Sequence, residues 1–111
     1  MMTTIAVRDL YLEVLAPFGN VQDMVDLALQ RLSIEQITTR IAELRQRDIA
    51  YRKRYGMDYP TFVARSASDE QFVTQMEATI SKTWEKDLAD WEYCYEGALD
   101  WTRRLQSILL G

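Results

Sequence analysis

Trp84-Glu85-Lys86-Asp87-Leu88-Ala89-Asp90-Trp91-Glu92-Tyr93-Cys94-Tyr95 is the stretch on which the fold turns. Trp84, Leu88, Trp91 and Tyr95 recur at the three- and four-residue steps of one face of an α-helix. The rhythm extends in both directions: Val73, Met76 and Ile80 precede it, and Ala98, Thr102, Leu105 and Leu109 follow. No proline interrupts it, and Gly97 costs a helix only about 1 kcal/mol relative to alanine. The pattern predicts either one very long helix or two, running from Asp69 to the end.

Upstream, the helical punctuation is clear. Asn20 is a suitable N-cap for a helix from Val21 to about Leu32, with Val21, Met24, Val25, Ala28, Leu29 and Leu32 on one face. Ser33-Ile34-Glu35-Gln36 has the form of a capping box and predicts a second helix start. That helix carries Ile34, Ile37, Ile41 and Leu44, continues through Ile49 and the basic stretch to Tyr55, and ends at Gly56 as a C′ glycine. Asp58 and Pro60 suit the first turn of a further short helix, and Ser66-Ala67-Ser68-Asp69-Glu70 is a polar joint. The first residues read two ways. Val7, Leu10, Tyr11, Val14 and Leu15 fit a helix face, while Leu10, Leu12 and Val14 also alternate as a strand that stops at Pro17.

Composition narrows the chemistry. The 111 residues suit one domain, or a small dimerising module with an appendage, and 48% hydrophobic with 27% charged residues is ordinary for a globular protein. There is no histidine and only one cysteine, Cys94. The commonest general base and the usual zinc ligands are therefore missing, and no catalytic, metal or cofactor site is expected. No apolar run approaches the roughly 20 residues of a membrane span, and the opening residues lack the form of a secretory signal. With a lone cysteine, the expected compartment is the cytoplasm. Charge is uneven: residues 40–54 hold six basic side chains against Glu43 and Asp48, whereas residues 59–111 hold nine acids against five bases.

Two segments resemble known families. If residues 10–16 are a strand, the order strand, Pro17, helix, Ser33, helix looks like the ribbon-helix-helix dimerisation fold of many bacterial antitoxins. The outward ribbon set would then be Tyr11, Glu13 and Leu15, poor chemistry for DNA reading because the glutamate would face phosphate. The segment Arg52-Lys53-Arg54-Tyr55-Gly56-Met57-Asp58-Tyr59-Pro60-Thr61-Phe62 resembles an element of small prokaryotic type II antitoxins. In those proteins it is followed by an acidic Asp-x-x-x-Trp-Glu region, similar to Asp87-Leu88-Ala89-Asp90-Trp91-Glu92 here, with Tyr95-Glu96-Gly97 continuing it. The similarity covers about residues 34–105, and residues 66–83 depart from it as an insertion-like stretch. The resemblance implies neutralisation of a small toxin, often a ribonuclease, encoded beside the antitoxin.

The combined expectation is a mainly α protein without enzymatic activity. A helical dimerisation or packing unit over residues 1–56 precedes an acidic, aromatic, helical partner-binding region over residues 57–111. Aromatic anchors dominate interface energetics and acids steer a basic partner toward them. The expected partner-binding residues are therefore Trp84, Asp87, Asp90, Trp91, Glu92, Tyr95, Asp100 and Trp101, with Trp101 off the apolar stripe as the better exposed anchor. Arg45, Arg47, Arg52, Lys53 and Arg54 are the candidate nucleic-acid contacts, with pairing to the acidic region as the alternative use of their charge. A self-associating helical scaffold and a DNA-binding autoregulator are the competing readings.

Overall fold

A computed structural model describes residues 3–111. These residues form five α-helices, α1 (Asp9–Leu15), α2 (Val21–Tyr55), α3 (Tyr59–Ser68), α4 (Glu70–Thr79) and α5 (Trp84–Leu110), with a 3-10 turn at Ala16–Phe18 and no β-strand among the described residues. The mainly α expectation holds. The chain divides into two units, one ending at Glu35 and one spanning Gln36–Gly111, and α2 contributes residues to both.

In the first unit the ribbon reading is overturned, because residues 9–15 are helix α1 and Pro17 lies in the 3-10 turn. A strand needs a partner for its backbone hydrogen bonds, whereas a helix satisfies them internally. The alternation of Leu10, Leu12 and Val14 is thus incidental to a helix that turns Leu12 and Leu15 partly inward and leaves Leu10, Tyr11 and Val14 exposed. Asn20 caps α2 as expected, its side-chain oxygen accepting the Asp23 N–H at 3.1 Å.

The second correction concerns Ser33, which caps nothing. Helix α2 runs unbroken for 35 residues through it. A capping serine works only where the backbone leaves helical angles, and no proline or glycine between Val21 and Tyr55 forces that. The break was expected from the capping-box pattern Ser33-Ile34-Glu35-Gln36, whose residues instead continue the helix.

The second unit is where the chain builds its core. Gly56 ends α2 with φ +73° and an N–H donated to the Arg52 carbonyl at 2.8 Å, the left-handed C′ geometry that glycine adopts without strain. Asp58 caps α3 through the Thr61 N–H at 2.9 Å. Asp69 closes α3 with its own N–H on the Arg65 carbonyl and opens α4 by accepting the Phe72 N–H at 3.0 Å. The long C-terminal stripe resolves into two helices. Ser81 Oγ accepts the Thr83 N–H at 3.1 Å, a side-chain contact that competes with helical bonding, so α4 stops and α5 restarts at Trp84.

Two clusters hold these helices together. The larger is aromatic: Tyr55, Phe62, Met76 and Trp91 are buried, with Tyr51, Tyr59, Phe72, Trp84, Leu88 and Tyr95 packed around them. Trp91, at 0% exposure, meets the rings of Phe62 at 5.2 Å, Tyr59 at 5.6 Å, Tyr51 at 5.7 Å and Tyr55 at 5.8 Å between centroids. The smaller joins Leu44, Cys94 and Ala98, with Trp101 against it. Gly97 explains itself here: a Cβ at this position would sit 3.1 Å from Leu44 Cδ1, so the glycine lets α5 approach α2 closely.

Replacing Trp91 with alanine empties the centre of the aromatic cluster and should lower stability by about 3–5 kcal/mol in urea denaturation. Ser33→Ala should fall within about 0.5 kcal/mol of the parent, as for helix positions without a specific role. A loss near 1 kcal/mol, typical of a removed cap, would show that α2 is two helices after all.

Candidate partner-binding site

One side of α5 lies against the basic end of α2, and three of the residues expected to face a partner, Asp87, Asp90 and Trp91, are engaged there. Trp91 donates its indole N–H to Asp48 Oδ1 at 2.7 Å. Asp90 pairs with the Arg47 guanidinium and accepts the Tyr51 hydroxyl at 2.6 Å. Asp87 accepts the Tyr55 hydroxyl at 2.5 Å and pairs with Arg54 at 3.1 Å. One turn beyond, the Tyr93 hydroxyl accepts a hydrogen bond from Arg40 at 2.6 Å, and the Arg47 guanidinium stands over the Tyr93 ring.

These contacts set the titration of the seam. The hydroxyl of Tyr51, with Arg47, holds the Asp90 carboxyl below its ordinary range against the opposing cost of burial. Burial pushes Tyr55 up to about 12, reinforced by its bond to Asp87, and pushes Tyr51 higher still, reinforced by Asp90. The hydrogen bond to Asp90 raises Arg47. Burial raises the Cys94 thiol, so this cysteine is a small core hydrophobe rather than a nucleophile.

The structure therefore separates the expected partner-binding set. Trp91 is buried, while Trp84, Asp87, Asp90, Tyr95 and Trp101 are half-buried and Glu92 and Asp100 exposed. Trp84 packs on the aromatic cluster and donates its N–H to Glu77 at 2.9 Å. Trp101 lies against Leu44, Cys94 and Ala98 with the Arg104 guanidinium 4.5 Å above its ring. On the outward side of α5, Glu85, Glu92, Glu96, Leu99 and Asp100 are all exposed at helical spacing. Asp100 pairs with Arg103 of the next turn. Of the expected nucleic-acid contacts, Arg47 and Arg54 are spent on Asp90 and Asp87, and Arg45, Arg52 and Lys53 stay exposed.

Sequence reasoning missed the N-terminal unit as a surface. No residue between 3 and 35 is buried, yet Leu10, Tyr11, Val14 and Phe18 are more than half exposed. The apolar face of residues 7–15 was visible in the spacing; that Leu10, Tyr11 and Val14 stay exposed was not. Among the described residues no group of three or more His, Cys, Asp or Glu side chains is placed to hold a metal ion, and no helix is long and apolar enough to cross a membrane.

The tyrosine pair makes the seam sensitive to alkali. A raised folded value means that the neutral phenol stabilises the fold fully below the unfolded value of about 10 and that this contribution is lost as pH rises toward about 12, the value of Tyr55. Asp90 works in the opposite sense: its contribution is present above the unfolded carboxylate value of about 3.9 and lost as pH falls below it. Denaturation midpoints followed against pH should fall on both limbs, and the double variant Tyr51→Phe and Tyr55→Phe should flatten the alkaline one. An unchanged alkaline limb would show that these hydroxyls carry no such coupling. No family model, curated protein or solved structure matches the chain, so the reading of this site rests on its own residues.

Proposed function

We propose that the protein acts without catalysis, by binding a small basic protein and covering its working surface in the manner of an antitoxin. The outward side of α5 is the contact strip. The observation that carries this reading is that Glu85, Glu92 and Glu96 face solvent along one side of a helix that is fixed from behind by Trp91 and Cys94. A rigid helix presents its charges at defined spacing and loses little entropy on binding, and Leu99 and Asp100 continue the strip toward Trp101. Such a surface steers a cationic partner and sets register, while the apolar residues at its end supply contact area.

The antitoxin assignment itself comes from the resemblance of residues 52–62 and 87–97, while a cytoplasmic location is inferred from the lone Cys94. Inhibition would be steric and electrostatic. The aromatic residues that hold α5 in place serve this function indirectly, by keeping the acidic side outward.

Co-expression with the product of the neighbouring gene should yield a complex and rescue growth from that product's toxicity. The triple reversal Glu85→Lys, Glu92→Lys and Glu96→Lys should preserve the helical circular dichroism yet weaken the complex by tenfold or more. Raising the salt concentration should weaken the parent complex in the same direction, since exposed charges are screened. No complex and no rescue would reject the antitoxin reading; a complex indifferent to the reversal and to salt would reject α5 as the contact.

A further inference from the structure

The N-terminal unit presents a physical problem that the C-terminal helix does not. Of the fourteen large apolar side chains exposed on the described chain, eight lie before Glu35, in a unit where no described residue is buried. On α1, Leu10 (64% exposed), Tyr11 and Val14 (57% exposed) form one outward face, and Phe18 follows at 77%. At about half exposure, side chains of this size leave on the order of 100 Å² each in water. The four on α1 and the turn after it, Leu10, Tyr11, Val14 and Phe18, thus leave on the order of 400 Å² in water, about half of what one partner contributes to a standard interface. Beside α1, an open groove of about 500 Å³ is lined by Ile5, Val7, Leu12, Val25 and Leu29, with Asp26 among its lining residues.

Charge identifies the occupant. Residues up to Glu35 hold Arg8 and Arg31 against Asp9, Glu13, Asp23, Asp26 and Glu35, a net −3 of the −4 carried by the whole chain. The remaining residues hold eleven basic and twelve acidic side chains, net −1. A second copy of the chain would set −3 against −3 across the contact, and an anionic bilayer would meet the same repulsion. An amphipathic helix with an aliphatic stripe and lysine or arginine flanks satisfies both requirements, because its stripe covers the apolar face while its cations meet the acids beside it.

We propose that the uncovered face of the N-terminal unit, centred on Leu10, Val14 and the groove at Val25 and Leu29, docks a cationic amphipathic helix of a partner protein. This is a second binding surface, separate from the acidic strip of α5, and it holds whether or not that strip binds a basic protein.

The full chain can be titrated with a labelled synthetic helix of about five turns carrying leucine at the i, i+3, i+4 and i+7 positions and lysine elsewhere, read by fluorescence anisotropy at physiological salt. The parent should bind it and ignore the same peptide with glutamate in place of lysine. The double variant Leu10→Ser and Val14→Ser should weaken binding at least tenfold, and an independent pair, Tyr11→Ser and Phe18→Ser, should act alike. Both pairs alter exposed side chains, so circular dichroism should stay unchanged. In the background of Glu92→Gln with Glu96→Gln, which removes charge from the α5 strip, the Leu10/Val14 pair should still weaken binding at least tenfold. Binding that follows the α5 pair instead would overturn the proposal. So would a parent that sediments as a dimer and becomes monomeric in the Leu10/Val14 pair, which would identify a second copy as the occupant.

Discussion

The second unit is organised by one requirement: a fully buried tryptophan needs somewhere to put its N–H. Trp91 has no exposed surface, and an indole N–H left unpaired in such a place costs about 1–3 kcal/mol. Asp48, at 2.7 Å, is the acceptor. Satisfying that bond while stacking on Tyr51 and Tyr55 fixes both the rotation of α5 and its register along α2. The rest follows from helical spacing. Asp90 and Asp87, one and four residues earlier, reach Tyr51 and Tyr55 and the arginines Arg47 and Arg54. Cys94 and Ala98, three and seven residues later, reach Leu44, where Gly97 allows the approach.

The polar contacts of this seam are better understood as specificity than as strength. Arg47 and Arg54 keep nearly half of their side-chain surface in water, and ion pairs so exposed contribute at most about 1 kcal/mol. The burial of Trp91, Phe62 and Met76 contributes several times that. What the Tyr–Asp–Arg contacts add is direction: an α5 rotated to place Glu92 or Glu96 against α2 would leave two tyrosine hydroxyls without those acceptors. The acids that face outward are therefore selected by the same contacts that hold the others in.

Features that depend on a single residue's chemistry were legible in the sequence. Asn20, Gly56, Asp58 and Asp69 end or start helices where their side chains or φ preferences say they should. Features that depend on what lies opposite were not. Ser33 has the letters of a cap, but a capping box acts only where the backbone turns, and α2 runs unbroken through it. Ser81 breaks the C-terminal stripe although Ile80 and Trp84 keep the four-residue step across it. The spacing of Trp84, Leu88, Trp91 and Tyr95 placed them on one face but gave no sign of which element covers that face. Nor did it show that Asp87 and Asp90 pair with arginines more than thirty residues away in sequence.

The same long-range pairing changes where the chain's charge resides. Counted along the sequence, a basic middle is followed by an acidic end, and the end looks like the surface a cationic partner would meet. Counted by unit, those blocks largely cancel within residues 36–111, and three of the four net negative charges fall in the N-terminal unit. Those residues are also the ones without a core. Seven-residue α1 is far shorter than the roughly 12–15 residues below which an isolated helix is marginal in water, so its order depends on packing that this unit supplies only in part. Exposed apolar area and an excess of acidic over basic side chains occur together in the N-terminal unit. The C-terminal unit, at net −1, holds the buried core, whereas the N-terminal unit carries net −3 and no described residue in it is buried.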